Sequence, residues 1–105
     1  MEEVRAHLYV RGRVQGVSFR YYTRQQAFIK GVSGWVRNLW DGRVEVVIQG
    51  DEASVMGVIA WCKHGPSSAR VDDVWMEWET PQEDCVGFVI RPTARGGQDG
   101  KSTED

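Results

Sequence analysis

The chain has 105 residues and a mass of 11.9 kDa, which is the size of one domain. Its 13 basic and 15 acidic residues give a net charge of −2, and this argues against non-specific nucleic-acid binding, which needs a broad basic surface. The start lacks the features of a signal peptide, and no apolar run approaches the ~20 residues of a membrane span. We therefore expect a cytoplasmic protein that binds neither membranes nor nucleic acids.

The charge is distributed unevenly along the chain. Residues 1–37 contain seven basic and two acidic side chains, whereas residues 38–105 contain six basic and thirteen acidic ones. The basic part either produces a local positive field for an anionic ligand or consists of scattered, solvated arginines.

A strand, a glycine-bearing loop and a helix open the chain. Apolar residues alternate with Arg5, His7, Tyr9 and Arg11, which predicts a strand whose polar face carries a solvated His7. A helix is expected from about Phe19 to Lys30, with Gly31 as its stop. The residues expected to share its buried face are Phe19, Tyr22, Thr23 and Ala27.

A hairpin and a second helix follow. Residues 34–40 and 43–49 are rich in strand-forming residues and are separated by Asp41-Gly42, which predicts a hairpin with a tight primed turn. Asp51 is a candidate N-cap for a helix that ends at Gly65-Pro66. Its predicted buried stripe consists of Val55, Val58, Ile59 and Cys62.

Two further strands and a polar tail complete the chain. Strands are expected over about residues 71–80 and 88–91, and the tail after Pro92 contains no large apolar residue. These features predict one domain over residues 1–92 and a disordered tail over residues 93–105.

The order β-α-β-β-α-β with a short extra C-terminal strand predicts an α+β fold. In the ferredoxin-like arrangement both helices would cover one face of a mostly antiparallel sheet. That arrangement supports binding proteins and enzymes alike, so it does not decide the function.

The cysteines and histidines show no metal-ligand spacing. Cys62 and Cys85 are interpreted as structural or incidental, and the positions of His7 and His64 do not complete a site. We therefore predict no metal and no cofactor, and the sequence leaves open whether the two cysteines form a disulfide.

The loop before the first helix is a candidate anion site. Gly12 and Gly16 permit positive φ, which turns successive backbone N–H groups toward one point, and Arg20 lies in the first turn of the helix. The spacing is not that of a nucleotide P-loop. Asn38 is unusual in a strand, and it either orients a water molecule or satisfies backbone groups near the hairpin end.

Two segments resemble the signatures of the acylphosphatase family, over about residues 4–91. The first is Gly12-Arg13-Val14-Gln15-Gly16-Val17-Ser18-Phe19-Arg20, and the second is Gly34-Trp35-Val36-Arg37-Asn38, followed by Asp41-Gly42. The resemblance implies metal-independent hydrolysis of acyl phosphates to a carboxylate and inorganic phosphate.

The resemblance also implies roles for single residues. Arg20 matches the phosphate-binding arginine, and Asn38 matches the asparagine that orients the attacking water. The backbone cradle corresponds to Gln15, Gly16, Val17, Ser18 and Phe19. Ser18 and Trp40 stand at positions that the pattern leaves open, where they would tune the pocket.

Two other functions fit parts of the sequence. A non-catalytic module would bind an acyl phosphate or another small anion through the same loop, although it would have no need of Asn38. An RNA-binding module of the same topology would want aromatic and basic residues together on the sheet, where this chain has Asp73, Glu77 and Glu79. We favour a monomeric hydrolase that takes a small acyl phosphate as its substrate.

Overall fold

The computed structural model describes residues 2–95, which form five strands and two helices. In chain order these are β1 (Glu3–Arg13), α1 (Phe19–Lys30), β2 (Ser33–Asn38), β3 (Val44–Asp51), α2 (Glu52–Cys62), β4 (Arg70–Glu79) and β5 (Phe88–Ile90). The predicted order of elements is confirmed.

The strands form one sheet in the order β4-β1-β3-β2-β5. The neighbouring strands β4-β1, β1-β3 and β3-β2 are antiparallel, and β5 adds to β2 in the parallel direction. Both helices pack on the same sheet face, since they share one apolar core with its strands. The mostly antiparallel ferredoxin-like α+β fold is therefore confirmed.

The core lies between the helices and the inner face of the sheet. The alternating residues Ala6, Leu8 and Val10 of β1 are fully buried there. The predicted stripe of α2 is buried throughout, and the Asp51 side chain caps that helix by accepting from the Ser54 N–H. On α1, Phe19, Thr23 and Ala27 are buried as expected, whereas Tyr22 is 42% exposed because it lies beside the buried stripe.

The hairpin between β2 and β3 differs from the predicted tight turn. The Leu39 N–H donates to the Arg43 carbonyl, which leaves three residues in the loop, and Gly42 has a φ of +98°. Asp41 does not adopt the positive φ that a primed turn requires at that position, because a three-residue loop needs only the glycine to do so.

Backbone pairing continues beyond β5. Ala94 forms a parallel bridge with Leu39, so residues 93–95, which fall within the predicted tail, include a residue paired to the sheet. Residues 96–105 of that tail lie outside the described residues.

Cys62 and Cys85 are both free, and burial raises the pKa of the Cys62 thiol to about 12. No helix in the described part is long and apolar enough to cross a membrane.

Candidate active site

A cavity of about 370 Å³ opens where the loop between β1 and α1 meets the end of β2. The fold brings Arg20 and Asn38 together in its wall, although they are distant in sequence. The lining residues are Val14, Gly16, Ser18, Phe19, Arg20, Tyr21, Asn38 and Ile90.

The loop has the backbone geometry of an anion site. Gly16 has a φ of +74°, and Ser18, at the N-cap of α1, is the only described non-glycine residue with a positive φ, at 63°. Residues with a positive φ that alternate with residues of ordinary, negative φ turn their backbone N–H groups toward a common point. Within the described part of the chain the Ser18 side chain makes no capping hydrogen bond, and the first turn of α1 contains no acidic residue. The N–H groups at the start of this helix are therefore available to an anion.

Arg20 is the charged residue of the cavity wall. Its side chain is half-buried, and it takes part in none of the ion pairs formed among the described residues. By contrast, Arg5, Arg11 and Arg37 pair with Glu79, Asp73 and Glu45. The positive potential around residues 1–37 is therefore weaker than their formal charge suggests, because acidic neighbours neutralise three of the arginines.

Asn38, the last residue of β2, contributes a polar side chain to the cavity wall. Its Oδ1 atom is buried and has no hydrogen-bond partner among the described residues. Leaving a buried acceptor unsatisfied costs about 1–3 kcal/mol, so such an atom requires an explanation. A ligand or water molecule in the cavity that donates to Oδ1 provides one.

Comparison with known proteins gives this arrangement a context. A family model described as acylphosphatase matches residues 6–90. The chain belongs to the acylphosphatase family. The predicted family and enzyme class are thereby confirmed.

Two curated acylphosphatases and one solved structure illustrate the similarity. The acylphosphatase of Chloroflexus aurantiacus is 56% identical over 81 residues, which are 77% of this chain and 88% of the relative. That of Roseiflexus sp. is 51% identical over 90 residues, or 86% and 97% of the two chains. The structure of an acylphosphatase from Coxiella burnetii superposes with a TM-score of 0.81 at 38% identity, covering 85% of this chain and 93% of that one.

Two residues of the predicted acylphosphatase cradle have side chains outside the cavity wall. The Gln15 Nε2 donates to the carbonyls of Leu39 and Arg43, at 2.7 and 2.9 Å, and so ties the loop to the β2-β3 hairpin. The Val17 side chain packs against the core, and its carbonyl accepts a hydrogen bond from Ser68 Oγ at 3.0 Å. Gly16, Ser18 and Phe19 do line the cavity.

Gly12 does not belong to the anion loop, which corrects its predicted role. It lies within β1, where a Cβ atom would come within 2.2 Å of the Arg70 carbonyl oxygen of β4. Its φ of +136° and a register shift at Arg11/Gly12 accompany this close approach. The glycine is required for strand packing rather than for binding an anion.

Three lining residues of the acylphosphatase cavity were not predicted: Val14, Tyr21 and Ile90. Tyr21 follows Arg20 on α1, so its place in the chain could have suggested it. Ile90 comes from β5, and no local pattern indicates that this strand pairs with β2. Trp40, which was expected to tune the pocket, is 65% exposed and does not line the cavity.

The predicted solvation of His7 is wrong. On the outer sheet face its Nε2 lies 2.6 Å from a Glu45 carboxylate oxygen and its Nδ1 lies 2.6 Å from a Glu79 carboxylate oxygen. Ionised carboxylates only accept hydrogen bonds, so both nitrogens donate when the ring is protonated to an imidazolium. Burial alone would lower the pKa of His7, but the hydrogen bonds to Glu45 and Glu79 outweigh it and raise the pKa.

The two carboxyl groups respond in the opposite direction. Burial alone would raise the pKa of Glu45, but hydrogen bonds from His7 and Arg37 lower it, and His7 and Arg5 have the same effect on Glu79. His7, Glu77 and Glu79 present ligand atoms within 4.8 Å of one another, yet both His7 nitrogens are already engaged. This cluster therefore offers a metal no histidine lone pair.

We expect His7→Gln to destabilise the fold by about 2 kcal/mol near pH 6, because charge-assisted hydrogen bonds to two carboxylates are lost. The pKa of His7 is raised above its ordinary value of 6.5, so its contribution is complete below pH 6.5 and disappears as the pH rises through the folded-state value. Urea unfolding at several pH values measures the difference between wild type and variant, which should shrink on the alkaline side. The control is His64→Gln, which removes an exposed histidine. A difference that stays constant with pH would contradict the imidazolium assignment.

Proposed function

We propose that this chain hydrolyses the carboxyl–phosphate bond of acyl phosphates without a metal, using Arg20, the loop amides and Asn38. One observation carries the proposal: Arg20 and Asn38, whose buried Oδ1 atom has no partner among the described residues, line one cavity at the glycine-bearing loop before α1. Membership of the acylphosphatase family supports the reaction class.

The phosphoryl group would occupy the loop side of the cavity. The backbone N–H groups of Gln15, Gly16, Val17, Ser18 and Phe19 would bind it, and the Arg20 guanidinium would present further donors. Preorganised donors of this kind stabilise the charge that spreads over the phosphoryl oxygens in the transition state. Such donors would need little reorganisation, because Phe19 and Arg20 belong to the first turn of α1 and Gln15 ties the loop to the β2-β3 hairpin.

The attacking water would be bound by Asn38. A water molecule that donates one hydrogen to Oδ1 keeps its lone pairs free, and the fixed amide limits the directions in which these can point. With the water beside the phosphorus and opposite the acyl oxygen, displacement proceeds in line.

The chemistry requires little else from the protein. The water oxygen bonds to phosphorus, the bond between phosphorus and the acyl oxygen breaks, and the electron pair leaves with the carboxylate. The conjugate acid of that leaving group has a pKa of about 4, so no general acid is required. The described residues that line the cavity include no carboxylate and no imidazole, so the proton of the water passes to a phosphate oxygen of the substrate.

Hydrolysis of a generic acyl phosphate in the presence of a chelator tests the proposal. We expect wild-type turnover to be unchanged by the chelator, because the lining side chains within residues 2–95 offer no carboxylate, imidazole or thiol ligands to a metal. Activity that disappears with chelator and returns with a divalent metal would refute the metal-independent mechanism. Binding of phosphate without any turnover would instead favour the non-catalytic anion-binding module.

We also propose that the protein acts as a monomer, since the described cavity is built from a single chain. Light scattering of the purified protein tests this. A cytoplasmic location and the absence of nucleic-acid binding remain predictions from the sequence.

A further inference from the structure

The chain beyond β5 reaches the backbone of Asn38. The Ala94 N–H donates to the Asn38 carbonyl oxygen at 3.0 Å, and the Ala94 carbonyl accepts from the Trp40 N–H at 2.8 Å. Ala94 and Arg95, here called the C-terminal strap, lie beyond the segment that matches the family model. They also lie beyond the domain boundary that the sequence predicts.

The strap completes the support of the hairpin where β2 ends. On one side, Leu39 donates to the Arg43 carbonyl at 2.8 Å, and Gln15 donates to both of their carbonyls. On the other side are the two Ala94 bonds. The Arg95 guanidinium carbon also lies 4.6 Å from the centre of the exposed Trp40 ring. The peptides from Asn38 to Trp40 are thus held from both sides.

We infer that the C-terminal strap positions Asn38 for catalysis. The inference rests on the proposed function, in which Oδ1 of Asn38 orients the attacking water. A residue at the end of a strand readily moves, and Oδ1 would gain hydrogen bonds to solvent by moving out of the cavity wall. The bond from Ala94 to the Asn38 carbonyl opposes that movement.

The strap makes its described contacts with one half of the site only. The phosphate-binding half consists of the loop and the first turn of α1, and the described contacts of Ala94 reach neither. Loosening the strap should therefore slow turnover and leave phosphate affinity nearly unchanged. A strap that only covers the edge of the sheet would change the free energy of unfolding without separating these two quantities.

Two proline variants of the full chain test the inference. Ala94→Pro removes the N–H that donates to Asn38, whereas Thr93→Pro removes an N–H that forms no backbone hydrogen bond within the described residues. We expect Ala94→Pro to lower kcat for acyl phosphate hydrolysis by about 10-fold or more. A displacement of Asn38 by up to about 1 Å would reduce the rate on this scale. The inhibition constant of inorganic phosphate should change by less than about threefold, and Thr93→Pro should match the wild type in both quantities.

A further variant, Arg95→Ala, and a measurement of hydrogen exchange test the same inference. Arg95→Ala should lower kcat in the same direction by a smaller factor, because it removes only the contact with Trp40. Hydrogen exchange of the Trp40 amide reports the strap without using activity, and Ala94→Pro should accelerate it.

The outcomes separate this inference from the proposed function. If the wild type hydrolyses acyl phosphates and Ala94→Pro is equally active, the strap does not position Asn38. The inference also fails if kcat and phosphate affinity fall by the same factor, or if Thr93→Pro loses as much activity. If the wild type itself shows no hydrolysis, the proposed function fails, and the inference that rests on it fails with it.

Discussion

Replacing Asn38 by alanine should lower kcat by roughly 10²–10³-fold, the scale for losing one preorganised polar group of an active site. The inhibition constant of inorganic phosphate should remain close to that of the wild type, because the loop amides and Arg20 are untouched. The Oδ1 atom that is removed has no partner among the described residues, so the variant should be at least as stable to heat as the wild type. Steady-state kinetics, phosphate inhibition and thermal unfolding measure the three quantities.

The matched control for this variant is Gln26→Ala. It removes a side-chain amide from α1 at a half-buried position that does not line the cavity, so its kinetics should be those of the wild type. Near-normal turnover of Asn38→Ala would refute the water-orienting role. A large loss of phosphate affinity in Asn38→Ala would instead place this residue in the binding of phosphate.

Arg20→Lys should weaken inhibition by inorganic phosphate by about 10-fold or more and lower kcat/KM by at least the same factor. An ammonium group retains the charge, but it cannot reproduce the planar, two-pronged contact of a guanidinium with phosphate oxygens. A loss of about 1.4 kcal/mol corresponds to a factor of ten, which lies below the range for a hydrogen bond to a charged group. Phosphate inhibition and acyl phosphate hydrolysis, measured on the same preparation, provide both numbers.

Arg24→Lys is the control for the arginine. Arg24 lies one helical turn after Arg20 on α1, is exposed, and does not line the cavity. It should therefore tolerate the same substitution. If phosphate inhibits Arg20→Lys as strongly as it inhibits the wild type, Arg20 does not hold the phosphate. Equal losses in both variants would point to a general effect of replacing arginines on this helix instead of a specific contact made by Arg20.

The sequence predicted the elements well where one hydrophobic period dominates. Helix α1 has the predicted bounds, and the stripe of α2 is buried as expected, because both patterns reflect burial of one side of a helix. Arg20 and Asn38 were selected by their place in two family signatures. The residues alone left other interpretations open, since an asparagine near a hairpin end can simply satisfy the backbone. Arg20 and Asn38 line the same cavity, which supports the roles proposed for them, and the kinetic variants above test those roles.

The wrong predictions for His7 and Gly12 share a physical cause. His7 occupies an outward-facing position of β1, and its contacts with Glu45 and Glu79 depend on how two other strands pair with β1. Gly12 was placed in the anion loop because a glycine before a helix suggests a turn, whereas the constraint comes from the backbone of β4. In both cases the deciding neighbour is remote in sequence, so local composition contains no signal for it.

By itself the sequence determined the order of the elements, the family and the two residues on which the proposed reaction depends, because periodicity and signature motifs are local properties of the chain. Only the tertiary structure decided what surrounds those residues. It left the Oδ1 atom of Asn38 without a partner among residues 2–95, placed Ile90 in the cavity wall and brought Ala94 onto the backbone of Asn38. These contacts join segments that are far apart along the chain, and they exist only after the strands have paired.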